Sequence, residues 1–268
     1  MNISKCSLWL FDVDNTLIRD VEHPEPYADA LALIKALKER GKTVGLLTNV
    51  GRLSARQVRA AVVSAGFDID ISNVFTAGAA AAAYIANRQP NARCFVISEG
   101  GALEDFIARG LDVVTNPPVD YVAVGADRSL TFEKLNFAAK MLARGAKLLC
   151  ISGSRSYPGV YLGREDVFIG ERSIVAALED SSGVKAVTVG KPLPEMLIEA
   201  ARSLGFPPDQ TVIVGDNVNS DIAGGKAAGM LTVLCPHDKS NVVEFDSGDL
   251  DTKPDIVVQS LDELIARI

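Results

Sequence analysis

Short apolar runs recur along the chain, each cut off by polar residues or glycine, and between them lie stretches where apolar residues return every three or four positions. Runs of the first kind read as buried strands of a parallel sheet; the second spacing is that of helices with one face on a core. The first run, Leu8-Trp9-Leu10-Phe11, stops abruptly at Asp12-Val13-Asp14-Asn15-Thr16. A helix is predicted over 29–40, with Leu31, Ile34 and Leu37 at helical spacing and Gly41 closing it. A strand over 43–47 follows and ends in Thr48-Asn49. Ser54 has the chemistry of an N-cap for a helix to 65, and a short strand over 74–76 leads into an alanine-rich helix over 77–88.

A second rhythm begins near residue 90, with strands predicted over 93–97, 111–114, 121–124 and 147–151 and helices over 101–109, 131–144 and 171–180. No element is assigned between 152 and 170. The first rhythm then returns. A strand over 184–189 ends in Gly190-Lys191-Pro192, a helix covers 194–204, and a strand over 211–214 ends in Gly215-Asp216-Asn217. Ser220-Asp221 opens a helix to 228, strands over 231–234 and 255–258 follow, and 261–268 forms a closing helix. The stretch 238–251, rich in Gly, Ser and Asp, is the most loop-like. Alternation of this kind implies an α/β class with a doubly wound, mostly parallel core covered on both faces. The expected domains are a core of 1–76 and 183–268 and a smaller inserted α/β domain of 77–182.

Composition narrows the function. A net charge of −7 and a pI near 5.0 argue against a nucleic-acid binder, which would want a basic face. Cys6, Cys94, Cys150 and Cys235 are widely separated and form no Cys-x-x-Cys pair, as expected of reduced core thiols in a cytoplasmic protein. With two histidines, a zinc site is not expected. No apolar run has the length to cross a membrane, and the first residues do not read as a signal peptide.

The chemistry sits where strands end. In a doubly wound sheet the carboxyl ends converge on one edge, so Asp12, Asp14, Thr48, Lys191, Asp216 and Asp221 are expected to share one crevice. Acids so close repel one another unless something positive lies beside them. Carboxylates suit Mg²⁺, a hard ion that prefers oxygen, and Lys191 with Thr48 suits an anion. An anion, Mg²⁺ and a spare carboxylate together suggest phosphoryl transfer with a carboxylate nucleophile. The plain alternatives are a structural ion pair for Lys191 and an ordinary helix-start acid for Asp221.

These motifs resemble the haloacid dehalogenase (HAD) superfamily of phosphohydrolases. Asp12-Val13-Asp14-Asn15-Thr16 looks like its first motif, Leu46-Leu47-Thr48-Asn49 its second, Gly190-Lys191-Pro192 its third and Gly215-Asp216 with Asp221 its fourth. The long gap between the second and third motifs, and the short one between the first and second, are similar to the NagD-like branch, relatives of nitrophenylphosphatase and phosphoglycolate phosphatase with a large α/β cap. Two departures stand out: Ser152-Gly153-Ser154-Arg155 replaces an Asn-Pro-Asp-like turn, and Ile169-Gly170-Glu171-Arg172 replaces a Pro-Gly-Ala-Gly-like turn.

The resemblance implies a HAD core with a substrate-selecting cap, and a cytoplasmic Mg²⁺-dependent phosphatase of small monoesters (phosphoglycolate, a sugar phosphate, a nucleoside monophosphate or similar). It implies Asp12 as nucleophile, Asp14 as acid and base, and Thr48 and Lys191 on the phosphoryl group, with Asn49 helping to place the substrate. Asp12, the Asp14 carbonyl and Asp216 would hold the metal, with Asp221 supporting Lys191 or a metal-bound water. Arg155 and Arg172 are candidate grips for a second anionic group, with Tyr157 and Glu171 beside them. The partner is then a small phosphorylated metabolite, neither nucleic acid nor membrane, with a homodimer left open. The rival readings are a phosphotransferase or mutase, whose usual cap position is too short here, and a non-catalytic phosphate-binding regulator on the same fold. The chain has neither Gly-x-Gly-x-x-Gly nor Gly-x-x-x-x-Gly-Lys-[Ser/Thr] to support a nucleotide-binding role.

Overall fold

The computed structural model describes residues 3–161, 164–237 and 253–268. The chain divides into two compact units. The first comprises Met1–Thr48, Arg56–Phe75 and Lys191–Ile268, the second Asn49–Ala55 and Thr76–Gly190.

In the first unit the strands β1 (Leu8–Phe11), β2 (Thr43–Thr48), β3 (Val74–Thr76), β11 (Thr211–Gly215), β12 (Leu231–Leu234) and β13 (Ile256–Val257) lie in the order β13-β12-β11-β1-β2-β3. Every residue of β1 is buried, which is why the run carries no alternation. It pairs in parallel with β11 on one side, Leu10 opposite Ile213, and with β2 on the other, Leu10 opposite Gly45. The chain walks outward from β1 in one direction, then returns at β11 and walks outward in the other. β1 is therefore the point where strand order reverses, the place where open α/β sheets form a crevice. Helices α1 (Ala28–Glu39) and α7 (Pro194–Ser203) bury Leu33, Ile34 and Leu37 and Met196 and Leu197 respectively. Pro194 stands at the start of α7, where its missing N–H leaves no bond unmade.

The second unit has its own sheet, β10-β7-β6-β4-β5, formed by β4 (Arg93–Ile97), β5 (Asp112–Val113), β6 (Tyr121–Val124), β7 (Lys147–Cys150) and β10 (Val187–Thr188). Its pairings are parallel. Helices α3 (Ala77–Arg88), α4 (Gly101–Ala108), α5 (Phe132–Leu142) and α6 (Glu171–Ser182) accompany it, and Ile97, Val122, Val124, Met141, Val175 and Leu178 contribute to a common core. Thr76 and Thr131 cap α3 and α5 through their side-chain oxygens.

Three features depart from the sequence pattern. The run 184–189, expected as a core strand, is the short β10, and it joins the second sheet: Val187 and Thr188 pair with Leu149 and Cys150, and Gly190 N–H continues the ladder to the Ile151 carbonyl. Lys191 is thus the first residue of the returning first unit. Secondly, β8 (Ser156–Tyr161) and β9 (Arg164–Ile169) form an antiparallel hairpin where no element was assigned, because Pro158 and Gly159 mask the strand signal. Finally, 49–55, expected in the core, is fastened within the second unit. Ser98 donates its hydroxyl to the Gly51 carbonyl (2.9 Å), Gly101 N–H to the Arg52 carbonyl (2.9 Å) and Ser54 to Glu104 (2.9 Å). Asp105 accepts from both Ala55 N–H (3.2 Å) and the Thr76 hydroxyl (3.1 Å). Gly101 lies so close to the Leu53 backbone that an added Cβ would overlap it.

The closing helix is shorter than expected, Asp262–Ile265. The loop-like stretch 238–251 lies outside the described residues. All four cysteines are buried and in no disulfide, and burial pushes the Cys94, Cys150 and Cys235 thiols up to about 12, so they serve as small apolar core residues. Among the described residues no helix is long and apolar enough to cross a membrane.

Candidate active site

Three strand ends of the first unit carry the polar residues. Past β1, Asp12 N–H still bonds to the Val214 carbonyl (2.9 Å), so Asp12 is held as firmly as the strand itself. The chain then turns sharply. Leu17 and Ile18 N–H return to the Val13 carbonyl, and Asn15 adopts a left-handed backbone (φ 57°) that asparagine tolerates better than most residues. Asp14 lies on this turn, its Oδ1 accepting from Val21 N–H (3.0 Å) and its Oδ2 3.5 Å from the Thr48 hydroxyl at the end of β2.

Past β11, Asn217 caps a π-helical turn, Val218–Ile222, accepting from Asn219 and Ser220 N–H. This turn folds Asp221 back against Gly215, where any side chain would overlap the Asp221 carboxylate. Only glycine leaves that room. Asp221 is fully buried; its Oδ2 accepts from Asn217 N–H (3.2 Å) and its Oδ1 from Lys191 Nζ (2.6 Å).

Lys191 is the centre of the arrangement, with its side chain 2% exposed. Its ammonium donates to Asp12 Oδ1 (2.6 Å), Asp221 Oδ1 (2.6 Å) and the Leu47 carbonyl (3.1 Å). Burial alone would favour the neutral amine, but Asp12 and Asp221 outweigh it and hold Lys191 well above the usual lysine range. Burial pushes the Asp12 carboxyl up against the pull of Lys191, and Asp221, Asp216 and Asp14 push it the same way. Burial, followed by Asp221, raises Asp216 to about 7. One lysine is thus outnumbered by acids, an imbalance that a cation would relieve.

Oxygen atoms of Asp12, Asp216 and Asp221 lie within 4.8 Å of one another, a set of hard donors that fits a divalent cation. Because both Asp221 oxygens are already engaged by Lys191 and Asn217, Asp12 and Asp216 are the members of this set free to turn toward an ion. The structure therefore brings together Asp12, Asp14, Thr48, Lys191, Asp216 and Asp221 in the first unit. The Leu47 carbonyl belongs to the same network and carries no sequence signal, since every residue has one.

The remaining candidates belong to the second unit. Asn49 packs its side chain against Gly190. Arg155 is exposed, and Tyr157 stacks on Phe168 across the hairpin (5.6 Å). Arg172 pairs with Glu179 on its own helix (2.9 Å). Glu171 is 3% exposed, and burial raises it to about 7 although Ser152 and the Ala126 N–H both donate to it.

Residues 9–112 match the haloacid dehalogenase-like hydrolase family, and residues 188–264 the HAD-hydrolase-like family. The 5'-nucleotidase YutF of Bacillus subtilis is 32% identical over 97% of this chain and 98% of its own length. The ribonucleotide monophosphatase NagD of Escherichia coli is 28% identical over 88% of this chain and 90% of its own. Among solved structures, a p-nitrophenyl phosphatase from Archaeoglobus fulgidus superposes with a TM-score of 0.88 at 27% identity, covering 98% of this chain and 99% of that one. Family match, near-complete coverage and a shared architecture agree: the chain belongs to the haloacid dehalogenase-like hydrolases, in their NagD-like branch of phosphatases.

Proposed function

We propose that the protein is a Mg²⁺-dependent phosphatase of small phosphate monoesters that works through an aspartyl phosphate on Asp12. The observation that carries the reading is the buried Asp12–Lys191–Asp221 chain at the strand-order reversal. Lys191 occupies Asp12 Oδ1, which leaves Oδ2 as the attacking atom. Asp12 Oδ2 forms a bond to phosphorus as the ester P–O bond breaks, and Asp14 gives its proton to the departing alcohol oxygen. In the second half Asp14 takes a proton from water as that water attacks phosphorus, and the Asp12 carboxylate is released with inorganic phosphate. Thr48 donates its hydroxyl to a phosphoryl oxygen, and Lys191 offsets the charge that Asp12 shares with the phosphoryl group. Asp12, Asp216 and the Asp14 backbone carbonyl would hold Mg²⁺, which supplies charge neutralisation for the phosphoryl oxygens.

The substrate class follows from the relatives, named for action on nucleotides and on p-nitrophenyl phosphate. We assign substrate choice to the residues of the second unit, Asn49–Ala55 and Thr76–Gly190, since none of the groups doing bond chemistry lies there. Within them the exposed Arg155 is the stronger grip for a second anion, because Arg172 is already paired with Glu179. The test is phosphate release from a panel of monoesters with and without Mg²⁺, by wild type and Asp12→Asn. The variant keeps the shape and loses the nucleophile, so kcat should fall by about three orders of magnitude or more while thermal unfolding persists. Wild-type-like turnover in the variant, or turnover indifferent to chelation of Mg²⁺, would overturn the reading.

A further inference from the structure

A second charged assembly touches the Asp14 turn from outside the motifs. His237 follows β12 and is only partly exposed. Its ring stacks face to face on Tyr27, with centroids 3.8 Å apart and planes 4° from parallel. Its Nδ1 is 3.1 Å from the Asn15 carbonyl oxygen, and its Nε2 is 3.2 Å from both carboxylate oxygens of Asp29. Asp29 is itself pinned, accepting from the Ser260 hydroxyl (2.9 Å) and Leu261 N–H (2.8 Å). Burial works against its charge, but Leu261, Ser260 and His237 outweigh it and hold the carboxyl below the usual range. A carbonyl oxygen accepts only, and so does an ionised carboxylate. The ring nitrogen that faces the Asn15 carbonyl, Nδ1, is therefore the donor of that hydrogen bond.

We propose that His237, clamped between Asp29 and Tyr27, is a positioning residue for Asp14: it holds the Asn15 carbonyl and so fixes the turn that aims the Asp14 carboxyl. The inference rests on the proposed role of Asp14 as proton donor. Asn15 is bonded directly to Asp14 and is the left-handed residue of the turn, so its carbonyl direction and the Asp14 backbone are set together. Val21 N–H steadies the Asp14 carboxylate and Thr48 approaches its other oxygen, while His237 steadies the Asn15–Thr16 peptide, one residue past Asp14. Its reach is thus to the direction of a proton transfer, with no contact to the reacting atoms.

The discriminating readout is the leaving group. An alkyl alcohol leaves poorly without a proton, whereas 4-nitrophenolate leaves without one, so a misdirected acid harms the first and spares the second. The measurement is kcat/KM, in Mg²⁺, on 4-nitrophenyl phosphate and on the best alkyl phosphate of the panel. His237→Phe keeps the stack on Tyr27 and removes both ring nitrogens. It should lose about tenfold on the alkyl ester and under about threefold on the aryl ester. His237→Asn can place an amide N–H near the Nδ1 position and should recover most of the alkyl activity, whereas His237→Gln reaches toward Asp29 instead and should not. Asp14→Asn provides the reference and should show the same leaving-group bias more strongly. If Asp14→Asn shows the bias and His237→Phe, folded by circular dichroism, loses equally on both esters or on neither, the positioning role is wrong. If Asp14→Asn shows no bias, the acid role of Asp14 fails and this inference falls with it.

Discussion

Each unit is a parallel sheet with a buried acid at its carboxyl edge, yet the two edges treat that acid in opposite ways. In the first unit Asp12 and Asp221 face a buried ammonium at 2.6 Å each, and Asp216 adds a further acid. In the second unit Glu171, as deeply buried, is met chiefly by the neutral donors Ser152 and Ala126 N–H, with Arg52 a lesser pull, and burial raises it to about 7. The first edge keeps charge in a dry place by opposing it with charge; the second satisfies a carboxyl with dipoles and lets it take up a proton. A lysine between carboxylates is costly to assemble and gains its use when an anion or cation arrives. A carboxyl among dipoles ties strand ends and a helix start together and requires no visitor.

The largest expected effect comes from removing the opposing charge. Lys191→Met leaves Asp12 and Asp221 buried without their counter-ion, and breaking such a pair costs about 3–5 kcal/mol. Urea unfolding of the Mg²⁺-free variant at pH 8 should show this loss, with recovery toward pH 5 as the raised Asp12 and Asp216 carboxyls protonate. An unchanged midpoint at both pH values would erase the contrast between the two edges.

Glu171→Gln tests the other edge. Burial pushes the Glu171 carboxyl from the ordinary 4.5 up to about 7, so the folded state binds the extra proton between those values. Stability from this group is fully present below about 4.5 and is lost as pH rises through 7, by about 3 kcal/mol at most. Asp105, raised to about 6 by burial, contributes in the same direction. The difference between wild type and Glu171→Gln in stability against pH should therefore slope only in the Glu171 window. A flat difference would mean that the edge carries a charged Glu171 after all.

The smallest effect sharpens what the second unit is for. Arg155→Ala should lower kcat/KM about tenfold on a substrate with a second anionic group and leave 4-nitrophenyl phosphate almost unchanged. Equal change on both, or on neither, returns Arg155 to the solvent.

The strand ends were legible because a buried strand must stop at polar residues, and the stops at Asp12, Thr48 and Asp216 each announce the same edge. Lys191 and Asp221 were legible as residues, but their contact depends on Gly215 making room and on a π-helical turn, neither of which has a hydrophobic period. The allegiance of β10 was hidden because a two-residue ladder is chosen by its neighbour β7, and an apolar run looks the same in either sheet. The hairpin escaped because its first strand contains Pro158 and Gly159, which local propensity reads as breaks. His237 and Asp29 lie far apart in the chain and in no motif; only their meeting at Asn15 gives either a reason to be noticed.

The fastening of 49–55 has a consequence for building chimaeras. A transplant of the inserted unit onto another family member, cut at 76 and 190, would leave behind the segment that Ser98, Gly101 and Asp105 are shaped to hold. The graft would then face a foreign loop across Gly101, where there is no space for a different backbone path. Interchangeable parts in this architecture come as two pieces of sequence, and the shorter one begins one residue after the Thr48 hydroxyl.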